Sequence, residues 1–243
     1  MIPGVEPITL LGAYGPVVAG AFVSAWIWMR VQSSRRSLPD LGTPFVLTAI
    51  AGVLGARAFF LSQAGTLSAA GLFSFQPGGM SVAGGLAVGL PVSALLIRWW
   101  PIEGTRPSYL WWRWMDCAAQ AFAVGLIIER LGAFVAGIDF GRYVAPTEWG
   151  AMFGVRYPGG SPVHRFQEVQ LVGIPGLTSE LSATVHPVQL YSVAAGVAML
   201  LLARWLRPRV QTHGMVMLAL MGVFISVQLV IVEGLRHGAS EIV

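Results

Sequence analysis

The chain has 243 residues, of which 55% are hydrophobic and only 11% charged, far from the roughly 25% charged composition of soluble domains. Charges this scarce cannot clothe a 25.9 kDa globule with a mean hydropathy of +0.69, so much of the surface must face hydrocarbon and satisfy its backbone polar groups internally, which excludes a soluble enzyme. The net charge of +4 comes from arginines spread through loops and helix ends, with no basic block, and this speaks for anionic lipid and against nucleic acid as a partner.

The fold class is therefore all-α, a polytopic transmembrane helical bundle. Crossing a hydrocarbon core of about 30 Å takes about 20 apolar residues. Six runs of that kind stand out: Gly12 to Met29, Pro44 to Leu61, Ser81 to Trp100, Leu110 to Ile128, Pro187 to Leu206 and Gly214 to Leu235. The first lacks the basic flank and small-residue cleavage site of a signal peptide and reads as a retained span. The chain divides into residues 1–130 with four spans, an irregular head over residues 131–185 rich in Pro, Gly, Ser and Thr, and a C-terminal pair of spans over residues 186–243. A seventh short or re-entrant helix fits near Leu131 to Arg142 and would change the side of the C-terminus. No internal repeat of the transporter kind is visible.

Arginines set the orientation. Arg30, Arg35 and Arg36, then Arg98, Arg106 and Arg113, then Arg204, Arg207 and Arg209 follow alternate spans, so those loops are expected on the cytoplasmic side. The N-terminus and the 131–185 head then lie outside. The one cysteine, Cys117, allows neither an internal disulfide nor a cysteine-based zinc cluster. His164, His186, His213 and His237 have no ligand spacing, so no metal and no cofactor is expected.

Charged groups at membrane depth are the informative ones, because each costs at least about 2.5 kcal/mol on insertion scales and needs a partner, water or a ligand. Arg57 interrupts the second span near its outer end, where it can snorkel to the interface or face a ligand. Asp116, Gln120 and Arg130 fall on one stripe of the fourth span, either a seam between helices or a functional face. Glu129 falls on another face and could pair with an arginine elsewhere. Glu233 and Arg236 are three apart, the spacing of an intrahelical ion pair. His186 precedes a helix opened by Pro187 and shares a face with Gln189 at its mouth, as a cap or as a catalyst. Glycines at 78–79, Gly84, Gly85, Gly132, Gly137 and Gly141 permit close backbone approach or expose N–H groups to an anion. The arginines gathered toward the outer leaflet, Arg57, Arg130 and Arg142, suit the bidentate geometry of a lipid phosphate.

These motifs resemble the prolipoprotein diacylglyceryl transferases, bacterial inner-membrane enzymes that move diacylglyceryl from phosphatidylglycerol to a lipobox cysteine. His186-Pro187-Val188-Gln189-Leu190-Tyr191 is similar to the family's His-Pro-x-Gln-Leu-Tyr run. Gly78-Gly79-Met80-Ser81 with Gly84-Gly85 resembles its Gly-Gly-Met-Ser-x-His-Gly-Gly element. Arg130-Leu131-Gly132, Phe134, Gly137 and Gly141-Arg142 resemble its arginine, glycine and asparagine signature. Tyr14-Gly15, Gly55-Ala56-Arg57, Asp116 and Val232-Glu233 with Arg236 fit family positions in order. The chain departs from the pattern at Ala83, where the family has a histidine, at Ala133, Ala136 and Ile138, where it has two asparagines and a glutamate, and at Leu229, where it has an arginine.

The resemblance implies Arg130, Asp139, Glu233 and His186 as catalytic candidates. It implies Tyr14, Arg57, Gly84, Gly85, Gly132, Gly141, Arg142, Gln189, Tyr191 and Arg236 as substrate-binding ones. The implied partners are phosphatidylglycerol and the signal peptide of a prolipoprotein, met in the inner membrane. A thiolate nucleophile needs a base or a positive field, since a free cysteine ionises near 8.5. With no histidine in the third span, Asp139, Glu233 or His186 is expected to serve. The substitutions leave a second reading open: a non-catalytic descendant that binds lipid or lipoprotein in the membrane.

Overall fold

The computed structural model describes residues 7–73, 80–100, 106–171 and 173–235. The regular elements among them are helical: α1 (Pro7–Arg35), α2 (Gly42–Gln63), α3 (Ala69–Leu72), α4 (Val82–Trp99), α5 (Pro107–Ala136), a 3-10 turn (Trp149–Phe153), α6 (Pro162–Gln170), α7 (Val188–Leu206) and α8 (Met215–Ser226). A π-helical turn (Val227–Val232) carries α8 into α9 (Glu233–Leu235) without a break. By length and composition α2, α4, α5 and α7 can each cross a membrane. The first expected span lies within the 29 residues of α1, and the sixth runs through α8, the π turn and α9.

Local chemistry explains the helix ends. Ser81 and Ser161 cap α4 and α6 by accepting from the backbone N–H groups of Gly84 and His164, and Pro162 occupies the first turn of α6, where a missing N–H does no harm. Pro16 and Pro91 sit inside α1 and α4, as membrane helices tolerate when neighbours re-satisfy the freed backbone groups. The fourth span overruns its expected end at Ile128 and continues through Ala136. Adjacent opposite charges at Glu129 and Arg130 do not stop a helix. Gly137 does, at φ +67°, with its N–H donating to Phe134 O at 3.2 Å and the next N–H, Ile138, donating to Ala133 O at 3.1 Å, the reversed hydrogen bonds of a glycine C-terminus. Leu131 to Arg142, all of them described residues, form no separate re-entrant helix. The head instead carries α6, nine mostly polar residues, too short to cross a membrane.

Two compact units make up the chain: Met1–Ser24 with Phe122–Trp205 and Ala219–Val243, and Ala25–Ala121 with Leu206–Leu218. In the second unit α2 and α4 meet through glycine. A Cβ on Gly84 would stand 2.3 Å from Phe59 Cβ, and one on Gly55 2.5 Å from Val88 Cβ, so the missing side chains are what let these backbones approach. The same unit holds a buried polar seam. The Asp116 carboxylate accepts from the N–H groups of Gly214 (3.0 Å) and Met217 (2.9 Å), capping α8, and lies 3.8 Å from Arg36. Arg207 donates to Gln32 (2.7 Å) and Gln120 (2.6 Å). For Asp116 and Gln120 the polar stripe is thus a helix-to-helix seam.

In the first unit Gly132 lets α5 lie on α1, since a Cβ there would meet Val17 at 2.4 Å, and Gly196 lets α7 lie on α5 beside Ile127. The segment between α5 and α7 is tied by short backbone pairings, Val155 with Val185 and Tyr143 with Val185. Fully buried Gln167 of α6 clamps Ala183, whose N–H donates to Oε1 (2.8 Å) and whose carbonyl accepts from Nε2 (3.4 Å). Tyr157, Val163 and Val185 form the small apolar core beneath.

Candidate active site

All of the site described here lies in the first unit, and its frame is the stretch from Gly137 to Arg142. His186 brackets that stretch through its backbone: Gly141 N–H donates to His186 O at 2.9 Å, and His186 N–H donates to Arg142 O at 3.1 Å. Gln189 Nε2 donates to Ile138 O at 2.6 Å, and Arg142 N–H donates to Leu235 O at 2.7 Å. A Cβ on Gly141 would meet His186 Cβ at 2.7 Å and the carbonyls of His186 and Leu235 at 2.8 Å. Only glycine fits there, because two backbones pass too close for a side chain. The His-Pro-Val-Gln-Leu-Tyr run therefore has a structural role, which is to hold the 138–142 segment in place.

Beside this frame opens a cavity of about 910 Å³. Arg142, Glu148, His186 and Tyr191 line its polar end, and Ala194, Ala195, Ala198, Val223, Val227 and Leu235 make an apolar wall from α7 to α9. His186 Nδ1 lies 3.2 Å from the Tyr191 hydroxyl. The other edge of the imidazole faces the 3-10 turn, where a Cβ on Gly150 would stand 2.6 Å from Cε1 and 3.0 Å from Nε2. Burial lowers the His186 pKa below its ordinary value, the nearby Arg142 lowers it further, and Glu148 opposes them. The imidazole is accordingly neutral at neutral pH and able to accept a proton. Arg142 and Glu148 approach to 3.9 Å with both side chains well exposed, a loose pair that lets the guanidinium turn to a ligand. Deeper in the head, burial pushes the Tyr157 phenol up to about 12, with Gln189 beside it pulling the other way.

A second cluster lies on α5 and the frame. Tyr14 donates to Glu129 Oε1 at 2.6 Å, Glu129 Oε2 is 2.8 Å from Arg130 Nε, at an angle too poor for a hydrogen bond to that nitrogen, and Arg130 Nη1 donates to Asp139 Oδ2 at 2.6 Å. Glu129 thus pairs with its immediate neighbour. Tyr14 holds one carboxylate oxygen and turns the other along the helix.

The structure brings together His186, Arg142, Gln189, Tyr191 and Gly141 at the cavity and its frame, and Tyr14, Arg130 and Asp139 in the second cluster. Gly132 stands at the α1 to α5 contact. In the other unit Gly84 and Gly85 stand at the α2 to α4 contact, and buried Arg57 donates from Nε to Gly71 O at 3.1 Å, steadying α3. The Glu233 side chain, Arg236 and glycines 78–79 lie outside the described residues. Sequence reading missed Glu148 and Gly150, which the backbone pairings of Tyr143 and Val155 with Val185 bring to the site. It also missed Gln167 and the Tyr14 bond to Glu129, neither of which has a motif.

The sequence matches the family model of the prolipoprotein diacylglyceryl transferases over residues 6–242. A comparison with curated proteins returns no match. The match covers nearly the whole chain, and it includes both the histidine motif that holds the frame and the arginine-bearing end of α5: the protein belongs to the prolipoprotein diacylglyceryl transferase family.

Proposed function

We propose that the protein transfers the diacylglyceryl group of phosphatidylglycerol to the lipobox cysteine of prolipoproteins in the bacterial inner membrane, with six crossings and the N-terminus and head outside. One observation carries this reading: a neutral imidazole and a loosely held guanidinium share the polar end of a cavity whose remaining wall is apolar. An acyl chain suits the wall, a phosphate suits Arg142, and a thiol proton suits His186.

The chemistry balances on those groups. The cysteine S–H proton passes to His186, the sulfur attacks the glyceryl carbon of the lipid, and the carbon–oxygen bond to phosphate breaks as the carbon–sulfur bond forms. The leaving glycerol phosphate gains a second negative charge, and the proton held by His186 can neutralise it. Arg142 and Arg130 act as preorganised positive charge for the departing phosphate. Tyr191 fixes the imidazole edge at Nδ1, so Nε2, on the edge beside Gly150, is the nitrogen that takes the thiol proton. Among the described side chains, His186 is the expected base that lines the cavity. A positioned base contributes about 10²- to 10⁴-fold, so Ala83 in place of a third-span histidine is compatible with turnover.

Turnover in phosphatidylglycerol liposomes with a lipobox peptide, read by mass spectrometry of the thioether, tests the reading beside a complete family member. Product from this chain, lost in Arg142→Ala, is expected. Lipid binding with no product overturns the transferase and leaves the second reading, a lipid-binding descendant. That reading is favoured by one observation: both carboxylates near Arg130 already engage it.

A further inference from the structure

Arg130 is the arginine at the head of the family-like signature, and two carboxylates surround it. Tyr14, Glu129, Arg130 and Asp139 together carry one positive and two negative formal charges. An anionic phosphodiester arriving at this cluster meets a guanidinium already neutralised. The contact is partly accessible, with the Arg130 side chain 19% exposed and that of Asp139 30%. It also lies close to the cavity in the chain: Arg142 follows Asp139 by three positions, at most about 10 Å of backbone.

Asp139 is held in an unusual way. Its φ is +57°, a left-handed conformation that side chains other than asparagine and aspartate rarely adopt. The conformation is imposed from both sides, by Gln189 on Ile138 O and by His186 on Gly141 N–H. The histidine motif thus aims the Asp139 carboxylate at Arg130 Nη1, 2.6 Å away. Glu129, by contrast, is anchored by Tyr14 and rides on the same helix as Arg130. Of the two carboxylates, Asp139 has the shorter side chain to withdraw and comes from a separate segment.

We propose that Asp139 is a displaceable latch on Arg130: its carboxylate occupies the side of the guanidinium that an incoming lipid phosphodiester takes, and binding of the lipid exchanges one anion for the other. The proposal rests on the reading of this site as a phospholipid site and adds a residue that sets its selectivity. A headgroup with a net negative charge must displace Asp139, whereas a zwitterionic headgroup brings a cation that Asp139 itself can hold. Removing the carboxylate should therefore favour anionic over zwitterionic lipid.

Asp139→Asn is the test, since asparagine has the same shape and tolerates the same backbone conformation. The full chain in nanodiscs is titrated with phosphatidylglycerol and, separately, phosphatidylethanolamine, without any acceptor peptide, and turnover is then read with peptide. Asp139→Asn should bind phosphatidylglycerol about tenfold more tightly, bind phosphatidylethanolamine no better, and lower KM with less change in kcat. In Arg130→Gln the same Asp139 substitution should have no effect on binding. Asp139→Gly, which relieves the backbone and removes the carboxylate, should match Asp139→Asn. Unchanged or weaker phosphatidylglycerol binding in both Asp139 variants, with protease resistance equal to the parent chain, overturns the latch. The two readings separate cleanly: product from the parent chain with no tightening in Asp139→Asn sinks the latch alone, and tightening without product from any variant sinks the transferase alone.

Discussion

Gly84 distinguishes packing from ligand binding most sharply, because its neighbour Gly85 serves as an internal control. In Gly84→Ala the added Cβ would stand 2.3 Å from Phe59 Cβ, 2.6 Å from Gly55 O and 3.1 Å from Phe59 Cγ. Two of these three obstacles are a backbone carbonyl and a Cβ, neither of which can rotate away, so α2 and α4 must separate by roughly 1 Å, a radial gap that forfeits a quarter to a half of each dispersion contact along the seam. Overpacking of this kind costs about 1–3 kcal/mol. For a chain of this length that corresponds to a fall in midpoint of about 2–4 °C per kcal/mol. In Gly85→Ala the nearest atoms are Gly52 O at 3.3 Å and Ala56 Cβ at 3.5 Å, a contact that a few tenths of an ångström relieves, and the midpoint should hardly move. Thermal unfolding of both variants in detergent, with lipid binding measured on each, provides the assay. Equal stability of the two variants, with lipid binding lost in Gly84→Ala alone, would refute the packing argument and return this glycine to a ligand.

Four further outcomes are expected. His186→Gln should lower turnover by about 10²- to 10⁴-fold while the backbone bonds to Gly141 and Arg142 persist, so the fold should survive by protease resistance. Because burial and Arg142 hold the His186 imidazole below its ordinary 6.5, the unfolded chain takes up that proton first; the stability it lends is complete above 6.5 and falls as pH drops below it. The acid limb of the pH–rate profile should accordingly lie below 6.5 and move downward in Glu148→Gln. Asp116→Ala should destabilise by about 2–4 kcal/mol, since it uncaps α8 and strands two buried N–H donors, measurable as a lower unfolding midpoint. Gln167→Leu should leave the Ala183 amide without its side-chain partner at a cost of about 1–3 kcal/mol, seen as faster proteolysis within residues 143–185.

What the sequence reveals here depends on how far apart the partners lie along it. Helices announce themselves by runs of apolar residues, and the six expected spans coincide with helices because hydrocarbon imposes length and composition locally. Their ends are less legible. Glu129 and Arg130 look like a terminus, yet α5 continues until Gly137, since a helix ends where a backbone can reverse and not where charge begins. At the site, the His-Pro-Val-Gln-Leu-Tyr run is visible as a motif, but its work is done largely by a backbone N–H, a carbonyl and an amide reaching residues 138, 141 and 142. A pattern of residue types carries no trace of that. Asp116 shows the same limit: its spacing suggests a polar seam, and its partners, the N–H groups of residues 214 and 217, lie about a hundred residues away and bear no side-chain signature.

The π-helical turn over Val227–Val232 has a geometric effect on everything beyond it. Val223 and Val227 face the cavity, and so does Leu235, eight residues later. In an ordinary helix eight residues overshoot two turns by about 80°, and Leu235 would swing off the cavity wall. A wide turn absorbs one residue, which sets the rotation back by about 100° and returns Leu235 to the same face, where its carbonyl receives Arg142 N–H. The turn works as a phase corrector. Deleting a single residue from 227–232 would restore a regular helix in which Leu235 follows Val227 by seven residues, about 20° short of two turns, and so keep the last turn beside the segment that carries Asp139 and Arg142. What the last turn depends on is that the extra residue is taken up in the wide turn: wound as a regular helix of the same residue count, the segment would carry Leu235 about 80° off the cavity wall.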